Sequence, residues 1–220
     1  ESGESGDLCM IAPEGKIILI PLLLFVLAGT GIQAYYPSEG LKWINLALAA
    51  LTLFSLYFFR DPQRIPPNNN GFLSPADGKV VQIINVEDEE IGPAKQISIF
   101  LSVFNVHRQR VPLSGKVISK QYNSGKFLAA FNHKASLDNE QMVVAFETEK
   151  GKQNKIKQIA GLIARRIFNY MEPEFMVQRG ERLGFIRFGS RVDIIVPADF
   201  QINVNLGDAV LGNQTIIGRF

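Results

Sequence analysis

Two long apolar runs open the chain, and a series of short, interrupted ones follows. Residues 17–34 and 43–59 carry no charge at all. Between them lie Tyr35, Tyr36, Pro37, Ser38, Glu39, Gly40 and Lys42, a turn flanked by the aromatics that favour a membrane interface. A helix crossing roughly 30 Å of hydrocarbon needs about 20 residues, and both runs sit at the short edge of that range. A pair of buried core helices or a hairpin lying in the interface would read similarly. Apolarity on every face, however, favours lipid over a half-wetted helix surface. Pro21, Gly29 and Gly31 are tolerable there. The expectation is a membrane hairpin over residues 10–60. Lys16 precedes it and Arg60 and Arg64 follow it, while the turn holds one charge of each sign. That bias places both ends, and everything after them, on the cytoplasmic side.

Residues 61–71, with Pro62, Pro66, Pro67 and three consecutive Asn, read as a linker. Beyond it the pattern shortens into β-branched runs at 79–86, 96–103, 115–120, 142–147, 156–163, 185–188, 192–196, 202–204 and 215–217. Strands at this spacing predict an antiparallel barrel or sandwich over residues 72–220. The polar stretch 121–141 interrupts the rhythm and reads as a loop. Gly207, Asp208, Ala209 and Val210 read as a further strand near the end. The fold class expected is therefore mainly β, preceded by a helical membrane hairpin. Residues 1–9 are small, acidic and tag-like or a disordered leader, and Met10 is a plausible start.

Composition then narrows the chemistry. A net charge of +2 over 220 residues gives no basic field of the kind nucleic-acid binders carry. The one cysteine, Cys9, cannot form an internal disulfide. With two histidines, His107 and His133, a Cys/His zinc site is hard to assemble, and no metal is expected. There is no GxGxxG fingerprint, no P-loop and no GxSxG elbow.

Three short motifs remain. Phe188-Gly189-Ser190-Arg191 reads either as a Gly-Ser kink in a strand or as a self-cleaving bond. In the second reading, Ser190 Oγ attacks the Gly189 carbonyl through a five-membered ring, with no Cβ on Gly189 to hinder it. The resulting ester loses the Ser190 Cα proton, expels the upstream carboxylate, and leaves a dehydroalanine that hydrolyses to a pyruvoyl group. Ser74-Pro75-Ala76-Asp77-Gly78 is a turn whose carboxylate commonly bonds only its own backbone. Val106-His107-Arg108-Gln109-Arg110-Val111-Pro112 ends an aliphatic run, where a lone His is more often structural than catalytic.

Together these motifs, with Phe58-Phe59-Arg60-Asp61-Pro62 after the hairpin, resemble the short branch of the phosphatidylserine decarboxylases. The resemblance runs from about Met10 to Phe220. It implies cleavage between Gly189 and Ser190, a covalent pyruvoyl cofactor made from Ser190, and conversion of phosphatidylserine to phosphatidylethanolamine and CO2 through a Schiff base. It also implies a catalytic set of Ser190, His107 and Asp77. His107 would act as general acid/base, and Asp77 would hold its tautomer. Arg108, Arg110, Arg187 and Arg191 are candidates for the lipid phosphate, which a guanidinium can bind bidentately. Arg110 stands where the longer branch carries a second histidine, and Phe188 and Arg191 flank the Gly-Ser pair where that branch has Leu and Thr. The partners implied are phosphatidylserine, membrane lipid and the two fragments of one precursor, with homodimerisation left open. Diacyl and ether-linked lipids would satisfy the reading equally. A membrane-tethered serine hydrolase using the same Ser, His and Asp stays open, as does a non-enzymatic biotinyl/lipoyl-like β module.

Overall fold

The computed structural model describes residues 11–125, 139–161, 166–187 and 190–220. Cys9, His133, Phe188 and Gly189 lie outside them, as do the tag-like segment and most of the expected 121–141 loop. The chain divides into two units, one ending at Gln63 and one spanning Arg64–Phe220.

In the first unit, a short turn (Pro13–Gly15) leads into α1 (Lys16–Tyr35), and α2 follows (Glu39–Phe58). The second helix begins earlier than the apolar run, after Ser38 in extended conformation and with Glu39 in the first turn, where a carboxylate suits the helix dipole. Glu39 also pairs with Lys42. Both helices are long and apolar enough to cross a membrane, with mean hydropathy of 2.3 and 1.5. Their apolar side chains point outward: Ile17, Leu24, Phe25, Leu27 and Leu53 are each more than half exposed. The residues buried in α2 include Asn45, Thr52 and Ser55. A Cβ on Gly29 would collide with the Asn45 side chain, so glycine is what lets the two helices approach there.

The second unit is built of antiparallel strands. Its main sheet has eight, in the order β13-β2-β3-β11-β7-β6-β5-β9. These are β2 (Gly78–Asp88), β3 (Gly92–Leu101), β5 (Gly115–Asn123), β6 (Gln141–Thr148), β7 (Gln153–Ala160), β9 (Met176–Val177), β11 (Ser190–Pro197) and β13 (Ala209–Val210). Two three-stranded sheets complete it. One is β1 (Phe72–Leu73), β14 (Ile216–Arg219) and β12 (Gln201–Ile202); the other is β4 (Arg108–Arg110), β10 (Arg182–Ile186) and β8 (Ile167–Asn169). The mainly β expectation holds. The strands missed by sequence, β1, β4, β8 and β9, are two or three residues long, too short for a period-2 pattern to register.

Strand alternation sets the core. Val192, Ile194 and Val196 of β11 pack with Ile97, Ile99 and Leu101 of β3 and Ile156 and Ala160 of β7, all at most 2% exposed. Burying each large aliphatic side chain of this kind stabilises by about 1.5–3 kcal/mol. Residues 64–71 are not a free tether. Arg179 donates from its guanidinium to the carbonyls of Pro67 (3.1 Å) and Asn69, and Asn213 Nδ2 donates to the Arg64 carbonyl (2.8 Å).

Candidate active site

Ser190 is the first residue of β11, which lies between β3 and β7 at the middle of the large sheet. It pairs with Leu101 on one side and Ala160 on the other, so its side chain faces the core. The residue is fully buried, and its Oγ has no hydrogen-bond partner among the described residues. Leaving a buried hydroxyl unsatisfied costs about 1–3 kcal/mol. A serine expected to become a pyruvoyl carbonyl fits this position: it lies inside the fold, shielded from water, with its oxygen not committed to a structural bond.

His107 reaches the same region by a braced loop. Leaving β3 at Leu101, the chain turns at Ser102, whose backbone N–H (2.9 Å) and hydroxyl (2.8 Å) both donate to Asn105 Oδ1. Asn105 N–H returns a bond to the Ser102 carbonyl (3.0 Å). The Asn105 carbonyl lies 2.9 Å from His107 Nδ1. A carbonyl only accepts, so Nδ1 carries a proton, which makes Nε2 the lone-pair nitrogen whenever the ring is neutral. That is the tautomer a general base needs. The ring is fully buried, with its centroid 6.3 Å from that of Phe185. The His107 carbonyl accepts from Ile186 N–H (3.4 Å), four residues before Ser190.

Behind His107 runs a buried chain of amides that sequence reading missed. Gln109 Nε2 donates to the His107 carbonyl (2.8 Å), Gln158 Nε2 to Gln109 Oε1 (2.9 Å), and Asn169 Nδ2 to Gln158 Oε1 (2.7 Å). Met171 N–H closes it on Asn169 Oδ1 (3.0 Å). Each amide uses its donor toward His107 and its acceptor away from it, so the bonds reinforce one another. Gly184 makes room: a Cβ there would press on Gln158 Nε2 and the Phe168 carbonyl. The readable signal was Gln158 itself, a polar residue at an inward position between Ile156 and Ala160.

Asp77 sits in the turn entering β2 and is 4% exposed. That turn is stitched to β4 by a bond from Arg110 N–H to the Pro75 carbonyl (2.9 Å), and Lys79 pairs with Phe100, next to Leu101. In the large sheet β3 thus lies between the strand that follows Asp77 and the strand that begins at Ser190, while β4, after His107, is joined to the Asp77 turn through Arg110. The carboxylate does not engage the imidazole as expected. Arg64 holds both its oxygens, with one contact at 2.8 Å, and Gly212 N–H donates to Oδ1 (2.8 Å). The bonds that are made give the reason: Arg64 and Gly212 hold the carboxylate, and His107 Nδ1 is already satisfied by the Asn105 carbonyl.

The four arginines separate. Arg191 is 1% exposed and bound within the fold, from Nε to Asp193 Oδ1 (2.6 Å) and from its guanidinium to Ser98 Oγ (2.6 Å) and Gln82 Oε1 (2.7 Å). Strand parity puts it on the face opposite Ser190, which removes it from the phosphate candidates. Arg108 is also buried, its guanidinium 5.5 Å from the Phe185 ring centroid and 5.9 Å from that of Tyr170. Arg187 lies 4.8 Å over Phe168 and is partly open, as is Arg110, at 3.5 Å from the Gly180 carbonyl.

Comparison with known sequences decides the family. The profile of the phosphatidylserine decarboxylase family matches residues 51–218, most of the chain. The chain belongs to the phosphatidylserine decarboxylase family. Similar proteins include the phosphatidylserine decarboxylase proenzyme of Pelobacter propionicus, 47% identical over 184 residues, which cover 83% of this chain and 84% of that one. The proenzyme of Chlorobium chlorochromatii is 41% identical over 213 residues, covering 96% of this chain and all of its own. That of Wolbachia pipientis is 49% identical over 175 residues, or 76% of each. As in any member of this decarboxylase family, the site must stabilise the electron pair left when CO2 departs, and no ordinary side chain can delocalise it.

Proposed function

We propose that this chain is a precursor that cleaves itself between Gly189 and Ser190 and then decarboxylates phosphatidylserine to phosphatidylethanolamine and CO2. The observation that carries the reading is the buried Ser190 Oγ at the head of a central strand, without a hydrogen-bond partner among the described residues. In maturation, His107 Nε2 takes the Ser190 hydroxyl proton as Oγ attacks the Gly189 carbonyl. The amide becomes an ester, and loss of the Ser190 Cα proton breaks the Cβ–Oγ bond. Hydrolysis of the resulting enamine then releases ammonia. A pyruvoyl group at position 190 supplies a carbonyl that takes up the substrate amine and draws off the electron pair left by CO2. His107 is then placed to return a proton to carbon. Asp77, gripped by Arg64 and Gly212, holds the turn that carries it against β4. Arg187 and Arg110 are the partly open cations suited to the lipid phosphate.

A cleavage time course tests the assignment. Ser190→Ala should remain uncleaved and inert, and His107→Ala should stall as precursor, while His133→Ala matures normally. Normal maturation of His107→Ala with a stalled His133→Ala would overturn the choice of base. The apolar helices and the flanking Lys16, Arg60 and Arg64 support a membrane hairpin with the β unit on the cytoplasmic face. Protease added outside intact cells should then spare the chain beyond residue 70. Digestion of that region would refute the orientation.

A further inference from the structure

Arg64 is the first residue of the β unit, and it meets three segments at once. Its guanidinium grips both oxygens of Asp77 and also donates to the Gly212 carbonyl (3.0 Å). Its own carbonyl accepts from Asn213 Nδ2 (2.8 Å). The Gly212 N–H donates to Asp77 Oδ1 (2.8 Å), closing a ring of bonds through Arg64, Asp77 and Gly212. Asn213, held in the left-handed region at φ 63°, bonds through its N–H to the Ser74 carbonyl (3.0 Å), and Ser74 N–H bonds Thr215 (2.7 Å). Asp77 belongs to the turn that holds β4. Gly212 and Asn213 lie beyond the proposed cleavage bond, so the ring ties residues upstream of it to the fragment downstream.

We propose that Arg64 is a positioning residue for both maturation and turnover, acting through Asp77 and the Gly212–Asn213 segment. The proposal rests on the reading of Asp77 given above, as the residue that holds its turn against β4. A carboxylate near a reacting centre can rotate; a bidentate fork plus a backbone N–H fixes its plane and leaves one arrangement. Because the grip spans the cleavage bond, it also holds the small fragment's contribution to the site once the chain is cut. A lysine could keep the charge but not the planar fork, so it should restore only part of the effect.

The test measures the maturation rate of the full-length chain in detergent, then kcat and KM of the matured forms, with Tm as a control on folding. The set is wild type, Asp77→Asn, Arg64→Gln, Arg64→Lys and the Arg64→Gln/Asp77→Asn double variant. Arg64→Gln should slow maturation and lower kcat by roughly tenfold to a hundredfold, the scale of outer partners that orient metal-ligating groups. KM for lipid should stay near wild type, Arg64→Lys should be intermediate, and the double variant should be no slower than Asp77→Asn alone. Additive losses in the double variant, or wild-type maturation of Arg64→Gln while Asp77→Asn stalls, would overturn the proposal and leave the role of Asp77 standing. Wild-type maturation of Asp77→Asn would overturn that role and this proposal with it. If Arg64→Gln does not fold, a folded Arg64→Lys that matures like wild type overturns it as well.

Discussion

The two units of this chain differ in the kind of residue they turn outward. In the helical unit, large apolar side chains such as Phe25 and Leu53 face outward, while Asn45, Thr52 and Ser55 are inside. In the β unit, Ile97, Ile99, Val192 and Ile194 are inside and the charged side chains lie mostly at the rim. The same physics produces both if the solvents differ. Water expels apolar surface from the β unit, whereas lipid is as apolar as leucine and gives helices no such drive to pair. Close approach at Gly29, against the Asn45 side chain, is then what brings the two helices together.

The β unit also buries charge, at Asp77, Arg108, Arg191 and Asp193 among others, and the largest expected effect lies with the last two. Arg191 and Asp193 form an ion pair inside the sheet at 1% and 0% exposure. Arg191→Ala would take its guanidinium away from the buried Asp193 carboxylate, at a cost of about 3–5 kcal/mol. Denaturant titration of the full-length chain in detergent should read that loss, and a change below about 1 kcal/mol would mean water reaches the pair. Next in size is a charge placed on the outward face of the hairpin. Phe25→Arg should impair membrane insertion by about 2.5–3.5 kcal/mol, seen as a larger fraction extracted without detergent. If extraction does not change, Phe25 does not face lipid, and the contrast between the units fails.

Sequence alone disclosed the hairpin, because apolarity on all faces survives any uncertainty about packing. The β class was equally legible from the repeated short runs, and the motifs alone drew attention to Ser190 and His107 as candidates. What escaped it depends on partners far apart in the chain. The grip on Asp77 comes from Arg64 and Gly212, the latter 135 residues away, and nothing local to the turn announces either. Arg191 looked like a phosphate ligand because a charge inside a β run invites a functional reading. Its parity with Asp193, two residues on and therefore on the same strand face, carried the structural answer. The amide chain through Gln109, Gln158 and Asn169 was half visible, in an inward-facing Gln among aliphatics, but its direction depends on a three-stranded pairing too short to read.

The central claim is that Ser190 is consumed in making the catalyst, and mass measurement of the purified wild-type chain under denaturing conditions tests it most directly. The account predicts separation after residue 189 into two pieces, the smaller being residues 190–220. That fragment of 31 residues should lack a free amino group at its start and should react with carbonyl reagents. A wild-type chain that stays whole and carries full decarboxylase activity would contradict it.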